Sequence, residues 1–161
     1  MIRAAVPGDA ASVARIYNHY VTDTVVTFEE ETVSPSAMAR RIEGVRSASL
    51  PWLVAELGGQ TVGYAYANRW KERSAYRFSA EITVYLDPAH AGRGIGSRLY
   101  DQLLPILQDR GMHAVIGGIA LPNAASVALH EKFGMQKVAH FKDVGFKFDR
   151  WIDVGYWQRI L

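Results

Sequence analysis

Residues 84–104 read VYLDPAHAGRGIGSRLYDQLL: an apolar run ending at Asp87 and Pro88, a loop with three glycines, and a helix-forming segment. Gly92, Gly94 and Gly96 let backbone N–H groups approach an anion closely, with Arg93 between the first two, and the following helix turns its positive dipole end the same way. Two familiar phosphate loops do not fit. A Walker loop closes on Gly-Lys, and no Gly-Lys pair occurs in the chain. A dinucleotide fingerprint needs a further glycine three residues after the second, where Gly96 is followed by Leu99, and the strand before this loop comes too late in the order. The remaining alternative is a tight turn that only packs.

Working outward, YRFSAEITVYL (76–86) alternates, with Phe78, Ala80, Ile82, Val84 and Leu86 on one face and Ser79, Glu81, Thr83 and Tyr85 on the other. Trp52 to Trp70 is β-rich around a Gly58-Gly59 turn, completing an antiparallel meander. Ahead of it, the pattern predicts a strand at Ile2 to Val6. Asp9 is expected to cap a helix with Val13, Ile16, Tyr17 and Tyr20 on its stripe, and Ser34-Pro35 to open a second with Met38, Ile42 and Val45. Downstream, a helix runs from about Ile95 to Arg110, kinked by Pro105 and closed by Gly111. A strand at Ala114 to Ile119, a Pro-Asn turn, a short helix from Ala124 to Lys132 closed by Gly134, and strands at Met135 to Phe141 and Val154 to Leu161 complete the chain. The fold class is α/β: one domain over 1–161, a mixed and mostly antiparallel sheet with helices on both faces.

Composition narrows the chemistry. The 161 residues carry 18 Lys plus Arg against 16 Asp plus Glu, a net charge of +2, which speaks against a nucleic-acid partner. There is no cysteine, so disulfides, thiolate metal sites and a cysteine nucleophile are excluded. His19, His90, His113 and His140 lack mutual metal-ligand spacing. Asp9 and Arg15 interrupt the N-terminus where a secretory signal needs an apolar run, and no apolar stretch approaches the ~20 residues of a membrane span. The expectation is a cytoplasmic protein without a membrane partner.

The strand, Gly-rich loop and helix, followed by a strand, Asn123 and LHEKFGM (129–135), resemble the GNAT acetyltransferase superfamily. ARIYNHYV, VTFEEE, RSAYRFSAEITVYLDP, LPNAASVALHEKFGM and GFKFDRWIDVGYWQ narrow the resemblance to its phosphinothricin and methionine sulfoximine acetyltransferase branch. The resemblance implies acetyl-CoA as the acetyl-donor cosubstrate and a small amino-acid-like amine as acceptor. It places the pyrophosphate at Gly92, Arg93, Gly94, Ile95, Gly96 and Ser97, the pantetheine arm along Val84, Tyr85 and Leu86, and a further cofactor contact at Asn123. The family's loop opens with Arg or Gln where this chain has Ala91, so that cofactor contact is either missing or supplied by Arg93. A homodimer is also implied.

Acyl transfer to an amine needs a base for the ammonium, a donor for the developing oxyanion and a proton for the departing thiolate. Periodicity alone makes Glu81 a solvated carboxylate on a strand face, and the resemblance makes it the catalytic glutamate. A backbone N–H freed near Val84 to Leu86 serves the oxyanion. His130, where many relatives carry Tyr, is either a surface histidine or a catalytic one that protonates the thiolate, assists deprotonation or contacts substrate. With no cysteine to carry an acetyl group, the reaction is direct attack in a ternary complex.

For the acceptor, the loop WKERSAYR (70–77) offers Lys71, Glu72, Arg73 and Arg77, with Arg77 as carboxylate partner; a solvated turn is the plainer reading. Phe28 and VTFEEE either line the pocket or join the core. Trp151, Tyr156 and Trp157 are expected in core packing or a dimer contact. Two other readings stay open: a GNAT acting on a protein N-terminus or polyamine, and a non-catalytic acyl-CoA sensor.

Overall fold

A computed structural model describes the whole chain, Met1 to Leu161. The elements are β1 (Ile2–Ala4), α1 (Ala10–Asp23), α2 (Pro35–Ser47), β2 (Trp52–Leu57), β3 (Gln60–Arg69), β4 (Ser79–Leu86), α3 (Ile95–Asp109), β5 (Ala114–Leu121), α4 (Ala124–Lys132), β6 (Gln136–Lys147) and β7 (Arg150–Ile160). The seven strands form one sheet in the order β1-β2-β3-β4-β5-β7-β6. Only β4 and β5 are parallel, because α3 crosses over between them; every other pair is antiparallel. α1 covers one face, with Tyr17 edge-on against Tyr85 at 5.3 Å. α3 and α4 cover the other, where Ile95 approaches Gly63 and His130 lies on Gly117.

That parallel junction shapes the site. β4 pairs with β5 only over Ser79 to Glu81, whereas β5 stays paired with β7 from Ala114 to Leu121. Beyond Glu81 the two strands part, and the β5-facing backbone of β4 has no strand partner.

Several local expectations need correction. Asp9 does not cap α1 through its side chain; its carboxylate accepts from the Val6 N–H at 2.8 Å and pairs with Arg3 at 2.8 Å, closing the short turn Pro7–Asp9. α3 ends at Asp109 rather than Arg110, with Pro105 inside it at an exposed position. Phe78 precedes β4 and is 49% exposed rather than packed with Ala80 and Ile82. The last two strands are longer than expected and form one hairpin, turning at Phe148 and Asp149 with φ of 53° and 57°. β6 is a sheet edge that buries only Gly145 and Lys147, so the apolar alternation that would have announced its full length is missing.

Candidate active site

The parting of β4 and β5 opens two cavities. A slot of about 50 Å³ on the α3/α4 side is lined by Val84, Tyr85, Tyr100, Asn123, Ser126 and His130. A wider cleft of about 320 Å³ is lined by Glu81, Tyr66, Tyr156, Tyr17, Arg41 and the segment Val26 to Glu29. Both share Val26, Thr83, Tyr85, Gly118 and Ala120, so they meet through the gap in the sheet.

At the outer end of β4 the Gly-rich loop forms as expected. Gly92 and Gly94 have φ of 76° and 72°, and a Cβ at either would meet nothing within 4 Å. Gly94 is the N-cap of α3 without a side-chain cap, so the N–H groups of Ile95, Gly96 and Ser97 lack an intrahelical partner. Open space, free donors and the dipole end together suit a pyrophosphate. Gly96 serves packing: a Cβ there would sit 3.2 Å from Leu129 Cδ2 of α4. Arg93 and Ala91 are exposed. Lys132, which the sequence reading left out, donates to Ser97 Oγ at 3.0 Å and adds a cation at the same helix end. Asn123 Oδ1 accepts from the Ser126 N–H at 3.2 Å and caps α4, and its side-chain amide N–H groups, which make no internal bond, border the slot. The Leu86 carbonyl is taken by the Tyr20 hydroxyl at 2.6 Å.

Glu81 is half-buried in the cleft with no hydrogen-bonding or ion-pair partner. Burial raises its pKa above the ordinary carboxylate value, and nearby Lys71 opposes the shift. His130 is 3% exposed and its ring is fully engaged. Nδ1 lies 2.7 Å from the Ser126 carbonyl and must carry the proton, which leaves Nε2, 3.1 Å from Tyr100 Oη, to accept. Burial lowers its pKa, against the Ser126 hydrogen bond, so the ring is neutral near pH 7. Either proton role expected of His130 requires breaking one of these bonds.

The residues expected to meet the acceptor are not brought together in the cleft. Lys71, Glu72, Arg73 and Arg77 are all exposed, and none lines the cleft. Lys71 rides over Trp70 at 5.0 Å, and Arg77 folds onto Phe78 at 4.5 Å while donating to the Ser74 carbonyl. The cation in the cleft is Arg41, joined to Glu29 by bonds of 2.8 and 2.5 Å, with Tyr17 also bonded to Glu29 and to Thr27. Arg41 lies on a helix face that reads as solvated, so the sequence carried no sign of it. VTFEEE does line the pocket, through Val26, Thr27, Phe28 and Glu29. The hairpin aromatics divide: Trp157 is core at 2% exposure, Tyr156 lines the cleft, and Trp151 is 64% exposed.

The family described as Acetyltransferase (GNAT) domain matches residues 2–155. Phosphinothricin N-acetyltransferase of Streptomyces viridochromogenes is 40% identical over 158 residues, covering 98% of this chain and 86% of that protein. The L-methionine sulfoximine/L-methionine sulfone acetyltransferase of Salmonella typhimurium is 35% identical over 157 residues, covering 98% and 92%. The crystal structure of a GNAT superfamily phosphinothricin acetyltransferase from Sinorhizobium meliloti in complex with AcCoA superposes with a TM-score of 0.97 at 36% identity, covering 100% of this chain and 88% of that one. The Gly-rich helix end, the gap in the sheet and this likeness over nearly the whole length agree: the chain belongs to the GNAT acetyltransferase family.

Proposed function

We propose that the protein transfers the acetyl group of acetyl-CoA to the amine of a small amino-acid-like acceptor of the phosphinothricin, methionine sulfoximine or methionine sulfone type. The observation that carries this is the passage from the α3 helix end, along the unpaired edge of β4 and through the gap, to a partnerless carboxylate at Glu81. The free N–H groups from Gly92 to Ser97 would hold the pyrophosphate, and Val84 to Leu86 with Asn123 the pantetheine arm. Bound there, acetyl-CoA supplies an activated acyl thioester.

The rest falls to the chain's own residues. Glu81, with its raised pKa, accepts a proton from the acceptor ammonium and frees the lone pair for attack. The amine loses a second proton as the amide forms, which balances the thiol released. Freed backbone near Val84 to Leu86 serves the oxyanion. His130 acts on the thiol side, orienting the Tyr100 hydroxyl. Lys71, Glu72, Arg73 and Arg77 form the rim that meets the acceptor's carboxylate and side-chain oxygens, Lys71 standing near enough to Glu81 to oppose its pKa shift.

We also propose that the protein acts as a cytoplasmic detoxifying enzyme, whose acetylation removes the positive charge of the acceptor's amine. We further propose a homodimer, supported by exposed Val138, Phe141, Val144, Phe146, Phe148 and Trp151 on the edge hairpin. Gel filtration with light scattering tests that assembly. The function is tested by free-thiol release from acetyl-CoA with amino acids, methionine sulfoximine, methionine sulfone, phosphinothricin, a polyamine and an N-terminal peptide. Turnover confined to the last two would replace the acceptor class, and binding without turnover would favour an acyl-CoA sensor.

A further inference from the structure

Lys147 is the outlier of the edge strand. It is 1% exposed at the end of β6; no carboxylate lies within ion-pair distance of it, and Glu30 acts on it only at longer range. Burying an ammonium without a counter-charge is costly unless its donors are satisfied, so where those hydrogen bonds go is informative. Nζ donates to the Thr27 carbonyl at 2.9 Å and to the Tyr20 carbonyl at 3.4 Å.

Both acceptors have meaning. Tyr20 lies in the last turn of α1, whose C-terminal carbonyls carry partial negative charge and whose own last turn has no basic residue; Lys147 supplies that cation from the far end of the chain. Thr27 lies in the cleft wall, where its hydroxyl meets Tyr17 and its neighbours Phe28 and Glu29 line the same cleft as Glu81. Two residues back on the same strand face, Gly145 leaves room for the Phe28 ring: a Cβ there would lie 2.4 Å from it. Alternate positions of β6 therefore grip one short segment, Lys147 by its carbonyl and Gly145 by its aromatic ring.

We infer that Lys147 is a positioning residue of the acceptor site, pinning Val26 to Glu29 to the end of α1 so that Phe28 and Glu29 hold their places in the cleft that contains Glu81. Lys147 touches neither cavity and acts only through this segment. The inference rests on the acceptor reading proposed above for its kinetic consequence, while the pin itself is a property of the unliganded fold.

The test compares wild type, Lys147→Met and Lys147→Gln by amide hydrogen exchange of Val26 to Glu29 without ligand, and by separate KM values for methionine sulfone and acetyl-CoA. Met fills the space without a donor, and Gln restores one N–H donor. In Lys147→Met, exchange of the segment accelerates and methionine sulfone KM rises about tenfold or more, while acetyl-CoA KM stays within about twofold. Lys147→Gln falls between Met and wild type. If Met does not fold, Gln against wild type carries the comparison. Exchange matching wild type, or an equal rise in both KM values, overturns the inference. A wild-type protein inactive on every amino-acid-like acceptor removes the acceptor reading, and the exchange result then decides the pin alone.

Discussion

Glu81 and His130 stand on opposite sides of one gap in the sheet, and burial drives both toward neutrality by opposite shifts, the carboxyl upward and the imidazole downward. Their surroundings differ. Glu81 has no hydrogen-bond partner and faces the open cleft, whereas His130 donates to Ser126 and accepts from Tyr100. A desolvated group with free lone pairs is available to take a proton, and one whose lone pair and proton are both engaged is held in place. The Glu81 side of the gap thus presents an open, unpartnered group, and the His130 side is closed by its own hydrogen bonds.

The comparison can be broken first at Glu81. Glu81→Gln should lower kcat by at least ~10²-fold in steady-state assays, in keeping with a general base. Wild-type kcat/KM should rise with pH through an acidic limb above the usual carboxylate range, because the base must be deprotonated and burial raises its pKa; the limb should vanish in Glu81→Gln. Near-wild-type turnover at all pH values would reverse the assignment.

His130→Ala should act mainly on stability. It leaves the buried Tyr100 hydroxyl without its partner and empties the space of a buried ring, a loss of roughly 1–3 kcal/mol visible as a fall in Tm of several degrees. A loss of kcat equal to that of Glu81→Gln, with Tm unchanged, would make the two sides chemically equivalent.

Smaller effects sharpen the contrast. Gly96→Ala presses a Cβ to 3.2 Å from Leu129, where α3 meets α4 behind the Gly-rich loop. Acetyl-CoA KM should rise about threefold with acceptor KM unmoved, as a shift of a few tenths of an ångström in a packed interior implies. Last, the lowered His130 pKa means that the unfolded chain binds more protons below the free imidazole value. The stability held above that value is lost as pH falls through the folded pKa. Tm should therefore drop on acidification by slightly more in wild type than in His130→Gln.

The strand, Gly-rich loop and helix of 84–104 were readable because each depends on neighbours in the chain: alternation, glycines with positive φ, and a helix start. Glu81 and Asn123 were found through resemblance and lie where the cavities meet them. Arg41, Tyr17 and Tyr66 were not, because nothing local distinguishes a cleft-lining side chain from one facing water or core. Lys147 shows the same limit. In sequence it is one more charge in an aromatic segment, and its burial depends on carbonyls 120 and 127 residues away.

By itself the sequence determined the order of elements, the Gly-rich turn and, by lacking cysteine, that no enzyme thiol can carry the acetyl group. Those follow from backbone conformation and residue chemistry, which act over a few residues. Tertiary structure alone decided which groups are free and which are engaged. β4 and β5 part after three paired residues, leaving Glu81 in a cleft without partners while His130 closes against Tyr100 and Ser126. Desolvation and hydrogen-bond saturation are set by what packs around a residue, and here that comes from segments distant in the chain.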